Sequence, residues 1–194
     1  MPVPALILAS SSPFRQQLLS RLQLPFEAIA PEVDESLNIG ELPDAYVTRL
    51  ARKKADTIAI QYPDAMIIGS DQCAYLNGEI LGKPGNHANA LVQLQNARGR
   101  EVVFYTGLCV QCMNRQVNLV DCIKFKVGFR ELTDAQLEHY LEVEQPYNCA
   151  GSFKSEGYGI TLFSHLHGDD PTALVGLPLI RLTEMLEQAG MQVV

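Results

Sequence analysis

An α/β fold with a mixed, elongated sheet flanked by helices is what this sequence predicts, and three observations predict it. Ala5 to Ala9 is an unbroken apolar run, the pattern of a strand covered on both faces, and it leads through a serine-rich turn into an amphipathic helix. A long helical pattern from Asp44 to Tyr62 is followed by a second short apolar run, Ala65 to Gly69. Two long strand patterns, Glu101 to Met113 and Gln116 to Phe129, then succeed one another with only Asn114-Arg115 to turn between them, so the sheet continues beyond a simple three-layer core.

Each element has its own warrant. Ser10-Ser11-Ser12 ends the first strand, Pro13 suits the first helical turn, and Leu18, Leu19 and Leu22 form the inward stripe. Free backbone N–H groups at that helix start, with the serine hydroxyls and Arg15, make an anion site; taken alone, the same residues are an ordinary serine cap. Pro25 breaks the pattern, and Phe26 to Ala30 alternates as a second strand. The next loop holds three carboxylates, Glu32, Asp34 and Glu35. Such a cluster is a solvated acidic turn or a source of hard oxygen ligands for Mg²⁺ or Mn²⁺.

Val47, Leu50, Ala51, Ala55 and Ile58 mark the buried face of the long helix, and Arg49, Arg52, Lys53 and Lys54 give it a basic section. Ser70-Asp71-Gln72 follows the Ala65 to Gly69 strand at its C-terminal end, where ligands of open α/β sheets gather. Asn77-Gly78 between two short apolar runs predicts a hairpin. Helices are expected from His87 to Ala97, after a Thr133-Asp134 cap with Leu137, Tyr140 and Leu141 inward, and from Pro178 to near Gly190 with Leu179, Leu182, Met185 and Leu186 inward. Asp121 interrupts an otherwise apolar face of the 116–129 strand.

Composition narrows the function classes. The chain has 194 residues, 47% hydrophobic, with a formal net charge of −7, which suits one domain, or two lobes around a central cleft, and argues against a duplex nucleic-acid partner. No apolar run reaches the ~18 residues of a membrane span, and Met1 to Pro4 lacks the features of a signal peptide, so a cytoplasmic location is expected. Five cysteines without regular spacing read as free thiols. Cys109-x-x-Cys112 falls in a strand, where a three-residue offset points the side chains to opposite faces. His165-x-His167 beside Asp169-Asp170 reads as a polar loop, and there is no Walker A sequence or complete dinucleotide fingerprint.

The motif series is more informative than any of its members. Ser10-x-Ser12-Pro13-x-Arg15, Glu32-x-Asp34-Glu35, Leu50-Ala51 with Lys54-Ala55, Gly69-Ser70-Asp71-Gln72, Gly82-Lys83-Pro84, Tyr105-Thr106-Gly107, Ala150-Gly151-Ser152 and Val175-Gly176-Leu177-Pro178 occur in this order. The series resembles the Maf-type nucleoside triphosphate pyrophosphatases across nearly the whole chain. Phe14 and the segment Ser152 to Gly157 resemble the branch that acts on 7-methyl-GTP.

That resemblance implies a Maf/ITPase-like sheet around a nucleotide cleft, hydrolysis of a nucleoside triphosphate to monophosphate and pyrophosphate, and a homodimer. It implies Asp71 as the proton acceptor, Ser10, Ser12, Arg15, Lys54 and Lys83 as phosphate contacts, and Phe14, Gln72 and Glu156 as the residues that choose the base. Lys53 is adjacent to Lys54 and competes with it for the lysine role. Glu32 and Asp71 are the expected ligands of a divalent cation, Mg²⁺, Mn²⁺ or Co²⁺. Other readings are a dTTP/UTP pyrophosphatase and a nucleotide-binding regulator of cell division.

Overall fold

A computed structural model describes residues 4–194. The expectation about a leader at the N-terminus rests mainly on residues 1–3, which lie outside those described. The strands are β1 (Leu6–Ala9), β2 (Glu27–Ala28), β3 (Met66–Leu76), β4 (Glu79–Leu81), β5 (Glu101–Cys112), β6 (Val117–Phe129) and β7 (Phe163–His167). The α-helices are α1 (Pro13–Ser20), α2 (Pro43–Ala59), α3 (His87–Ala97), α4 (Asp134–Glu144) and α5 (Leu179–Gln188). The sheet order is β2-β1-β3-β5-β6-β7 with β4 paired to β3. It is mixed: β1 runs parallel to β2 and β3, while β4 and β7 are antiparallel to their partners. The described residues divide into two compact units, one of residues 4–71, 106–123 and 170–194, the other of residues 72–105 and 124–169.

In the first unit the sheet is covered on both faces, as the unbroken apolar strands require. One face packs Leu6, Leu8, Met66, Ile68, Leu108 and Val110 against leucines of α1 and α5. On the other, Ile7, Ala9, Ile67 and Cys109 meet Ala51, Ala55 and Ile58 of α2. Cys109 and Cys112 fall in these two different cores, which is the outcome of their odd spacing. Burial pushes the Cys109 thiol up to about 12, so it stays protonated and inert. Asp121 is accommodated by Arg181 of α5, whose Nε lies 2.7 Å from its carboxylate.

The second unit is held by aromatic edge contacts. Phe153 packs against Phe104, Phe129 and Phe163 with ring centroids 5.2, 5.7 and 4.8 Å away. Thr133 and Gln136 form a reciprocal capping box at the start of α4. Asn77 and Gly78 both take positive φ, 52° and 93°, which is the two-residue turn their sequence predicts for the β3–β4 hairpin.

Several expectations need correction. β2 covers two residues rather than the alternating run Phe26 to Ala30, and α2 ends at Ala59 rather than Tyr62. β3 does not stop at Gly69 but continues through Ser70-Asp71-Gln72 to Leu76. The polar string stays in the strand because its side chains find partners across the fold. His165-x-His167 belongs to strand β7, not to a loop, and pairs with β6 through the register Lys126 to His167 and Gly128 to His165. Asp170 is a buried cap: its carboxylate accepts from the backbone N–H groups of Thr172, Ile180 and Arg181, holding the start of α5.

Gly69 shows how closely α2 lies on the sheet. A Cβ built there would sit 2.1 Å from the Ala51 carbonyl oxygen and 3.0 Å from the Ala55 Cβ. Backbone, not a flexible side chain, is in the way. Gly69→Ala should therefore lower stability by about 3 kcal/mol, whereas Gly82→Ala, which faces open space, should cost under about 0.5 kcal/mol. Urea unfolding of the two variants checks this.

Candidate active site

α2 brings a charge into the core by its helical spacing. Leu50, Ala51, Lys54, Ala55 and Ile58 recur at intervals of three and four, so Lys54 shares the buried face of the helix. It is only 7% exposed. Its partner comes from β3, where residues two apart face the same way: Gly69 faces α2, and Asp71 therefore does too. Lys54 Nζ lies 2.6 Å from Asp71 Oδ1 and 2.6 Å from Glu35 Oε1. Lys53 points elsewhere, donating to the Asp34 carbonyl at 2.9 Å. Between the neighbouring lysines, geometry selects Lys54 as the partner of Asp71.

The parallel pairing of β1 with β3 ends at Ala9 opposite Gly69, so Asp71 lies just past the C-terminal end of β1. The serine turn starts there. Ser10 is buried and its hydroxyl accepts from the Ser12 N–H at 3.1 Å, while Ser12 caps α1 by accepting from the Arg15 N–H. Arg15 donates from Nε to the Gly176 carbonyl at 2.8 Å. Burial pulls its guanidinium down, and the nearby charges of Asp71 and Glu35 hold it up. Phe14, beside it on α1, is half-buried.

Other motif residues turn out to be supports. The Ser70 hydroxyl donates to the carbonyls of Gly107 and Gly176, both at 2.9 Å, and Thr106 donates to the Ala173 carbonyl at 2.9 Å. Gly176, at φ 106°, adopts a backbone conformation that suits glycine, and its carbonyl is shared by Arg15 and Ser70. These residues place Asp71 and Arg15 without carrying charge themselves. Their motif neighbours were visible in the sequence; the shared carbonyl was not.

Glu35 is the carboxylate that meets Lys54, three residues after Glu32, which the sequence singled out; Glu32 is exposed. Its loop is tied down from α2. Arg49 grips both oxygens of Glu41 at 2.6 and 2.7 Å and donates to the Ser36 carbonyl, and Tyr46 donates to the Glu35 carbonyl. Arg49 also holds the Glu41 carboxyl down to about 2. Among the described residues no group of three or more His, Cys, Asp or Glu side chains could hold a metal by itself. Asp71 and Glu35 nevertheless already share one cation, the Lys54 ammonium, and a pair of carboxylates with substrate oxygens is how Mg²⁺ is commonly bound.

The second unit carries the remaining expected residues. Gln72 follows Asp71 in β3 and is half-buried. Lys83 is exposed on a loop whose flanks are fastened: Gln93 donates to the Gly82 carbonyl at 3.1 Å, Asn89 to the Pro84 carbonyl at 3.0 Å, and the Gly85 N–H to the Tyr147 carbonyl at 2.9 Å. Gln93 also accepts from the buried Ser152 hydroxyl at 2.5 Å, linking this loop to the Ala150-Gly151-Ser152 motif. Glu156 is exposed, four residues further on.

Lys54→Met leaves the buried Asp71 carboxylate short of its main partner and should destabilise the fold by about 3 kcal/mol; Lys54→Met with Asp71→Asn should recover part of that loss in a double-mutant cycle. Acid should loosen the 34–41 loop separately. The Glu41 carboxyl is depressed in the fold, so its tie is complete above the ordinary value of 4.5 and disappears as pH falls toward about 2. Amide exchange of residues 36–41 measured across that window should show the change, and Glu41→Gln should abolish its pH dependence.

Residues 5–189 match the family model described as Maf-like protein. A 7-methyl-GTP pyrophosphatase of Nitrosococcus oceani is 56% identical over 189 residues, covering 96% of this chain and 94% of the relative. Those of Methylobacillus flagellatus and Albidiferax ferrireducens are 53% and 52% identical, covering 99% and 97% of this chain and 100% and 94% of the relatives. A solved Staphylococcus aureus Ham1 protein superposes with a TM-score of 0.47 at 16% identity over 66% of this chain and 72% of that one, a likeness too slight to bear on function. With its motif series in place from Ser10 to Pro178, this chain belongs to the Maf-like protein family.

Proposed function

We propose that this chain is a nucleoside triphosphate pyrophosphatase that hydrolyses 7-methyl-GTP between its α and β phosphates, giving 7-methyl-GMP and pyrophosphate and so clearing a modified nucleotide. The observation that carries the reading is a buried Asp71 carboxylate fixed on Lys54, in a chain about half identical over nearly its full length to proteins named for this reaction. Hydrolysis of an anhydride at phosphorus needs a water that loses its proton and a triphosphate whose charge is offset. The residues supply both. Asp71 Oδ1 is held by Lys54, and Oδ2 is the oxygen to orient the water and take its proton. Arg15, Lys54 and Lys83 offset phosphate charge, and the serine hydroxyls and N–H groups at the start of α1 receive phosphate oxygens.

A divalent cation fits this chemistry, with Asp71 and a carboxylate of the 32–35 loop, Glu32 or the Glu35 that already meets Lys54, as its protein ligands; when bound it would neutralise further phosphate charge. Phe14, Gln72 and Glu156 are assigned to the base. N7-methylation makes guanine cationic, which favours an aromatic face and a carboxylate that can accept from the guanine edge. Assembly as a cytoplasmic homodimer is part of the same reading, supported by the family; no helix among the described residues is long and apolar enough to cross a membrane.

Asp71→Asn keeps the size and most hydrogen bonds of the side chain but removes the proton acceptor. It should lower kcat about a hundredfold or more while the Kd for 7-methyl-GTP changes only a fewfold. Pyrophosphate release and equilibrium titration, each with Mg²⁺, measure the two quantities. Near-normal turnover would refute the assignment.

A further inference from the structure

Glu156 is the base-reading carboxylate of the proposed function, and the inference here rests on that reading. The turn that presents it is tied to α4 by two side chains: the Tyr140 hydroxyl accepts from the Lys154 N–H at 3.3 Å, and Glu144 holds both ends. Glu144, the last residue of α4, accepts from Lys154 Nζ at 3.0 Å through Oε1 and from the Tyr158 N–H at 2.7 Å through Oε2. Its backbone carbonyl takes a second hydrogen bond from the same Nζ at 3.1 Å. The two anchored residues flank Glu156 on either side. Within the turn the Gly157 N–H reaches back to the Lys154 carbonyl at 3.3 Å. A Cβ at Gly157 would come 2.7 Å from Glu144 Oε2, so a side chain there has to displace the carboxylate from its present position.

The clasp has an electrostatic side. Lys154 is two residues from Glu156 and, released from Glu144, would be free to pair with it. Held as it is, the ammonium spends its charge on Glu144, which is only 15% exposed, so the exposed Glu156 carboxylate has the neutral Ser155 hydroxyl on Oε2 at 3.1 Å and keeps its full charge for a ligand. The neighbourhood is compact: the charges of Lys154, Glu156, Glu144 and Lys83 all act on the thiol of Cys149, which burial itself raises.

We propose that Glu144 is a positioning residue for base selection: it closes the Lys154–Tyr158 turn and sequesters the Lys154 ammonium, so that Glu156 meets the cationic methylated guanine as an unneutralised carboxylate. Glu144 touches no substrate in this scheme. Its effect falls on the preference for 7-methyl-GTP over GTP and on KM, with little change in kcat.

The test is kcat and KM for 7-methyl-GTP and GTP, with Mg²⁺, in the full-length wild type and in Glu156→Gln, Glu144→Gln, Glu144→Gln/Lys154→Met and Gly157→Ala. Glu144→Gln keeps an oxygen for the Tyr158 N–H and the backbone carbonyl for Lys154 Nζ, but removes the negative charge that neutralises the ammonium. It should reduce the preference about three- to fivefold through KM of the methylated nucleotide, the scale of one part-exposed charge pair, with kcat within about twofold. Removing the Lys154 ammonium in the double variant should restore most of the preference, which a merely structural role of Glu144 would not predict. Gly157→Ala pushes on the same carboxylate and should act in the same direction; it decides the matter if Glu144→Gln does not fold. An unchanged preference in Glu144→Gln and Gly157→Ala, or no rescue in the double variant, overturns the inference while leaving the activity standing. A wild type without preference for the methylated nucleotide, or a preference that Glu156→Gln leaves intact, overturns the reading of the substrate and of Glu156 on which it rests.

Discussion

The buried contact between Lys54 and Asp71 is the constraint to which the first unit is fitted. An ammonium and a carboxylate can both leave water only if each has a partner at hydrogen-bonding distance, because isolated charges cost far more to bury than the core gains elsewhere. That requirement sets the rotation of α2, which must turn Lys54 inward, and the closeness of α2 to β3, which Gly69 permits. It also explains the surroundings. Arg15 and Glu35 add one charge of each sign, so the four groups balance without a ligand. A polyanion entering such a set meets two cations already in position, and Glu35, 54% exposed at its side chain, is the member with most freedom to yield.

Pairing of this kind has a cost that the fold meets in polar contacts behind the charged groups. Ser70, on the opposite side of β3 from Asp71, secures the strand through the carbonyls of Gly107 and Gly176. Arg15 is braced by the same Gly176 carbonyl. Asp170 and Thr172 fix the start of α5 by accepting its backbone N–H groups, and Thr106 fixes the turn before it. Motif residues that look catalytic in a list of strings thus divide into charged groups and the hydroxyls and glycines that hold them still.

Much of this was legible in the sequence where local rules and tertiary structure agree. The Ser12 cap, the α2 stripe, the Asn77-Gly78 hairpin, the limits of α3 and the inward face of α5 all follow from spacing and capping chemistry. Lys54 could have been chosen over Lys53 on the same ground, since only Lys54 continues the apolar stripe. What spacing does not carry is a partner distant in sequence. Ser70-Asp71-Gln72 looks like a strand ending because its hydrogen-bond acceptors and charges come from α2, β5 and the 176 turn. Glu35 looks equivalent to Glu32 because the ties from Arg49 and Tyr46 to the loop are tertiary. β7 looks like a loop because it is an exposed strand whose side chains are mostly polar, and edge strands of this kind lack the apolar signature of buried ones.

The two units also solve different problems with the same means. A proton acceptor must hold its position closely, and Asp71, proposed for that role, sits with Lys54 on a strand and a helix, both buried. Recognition groups have to remain open to solvent until a ligand arrives, and Lys83 and Glu156, proposed for that role, lie exposed on loops. Loops left to themselves would lose that advantage in conformational entropy, so each is fastened to a helix at its flanks: the Lys83 loop to α3 through Gln93 and Asn89, and the Glu156 turn to α4 through Glu144. The placement of both loops in the second unit therefore depends on side chains of α3 and α4, and on the proposed reading substitutions in them should alter recognition before they alter chemistry.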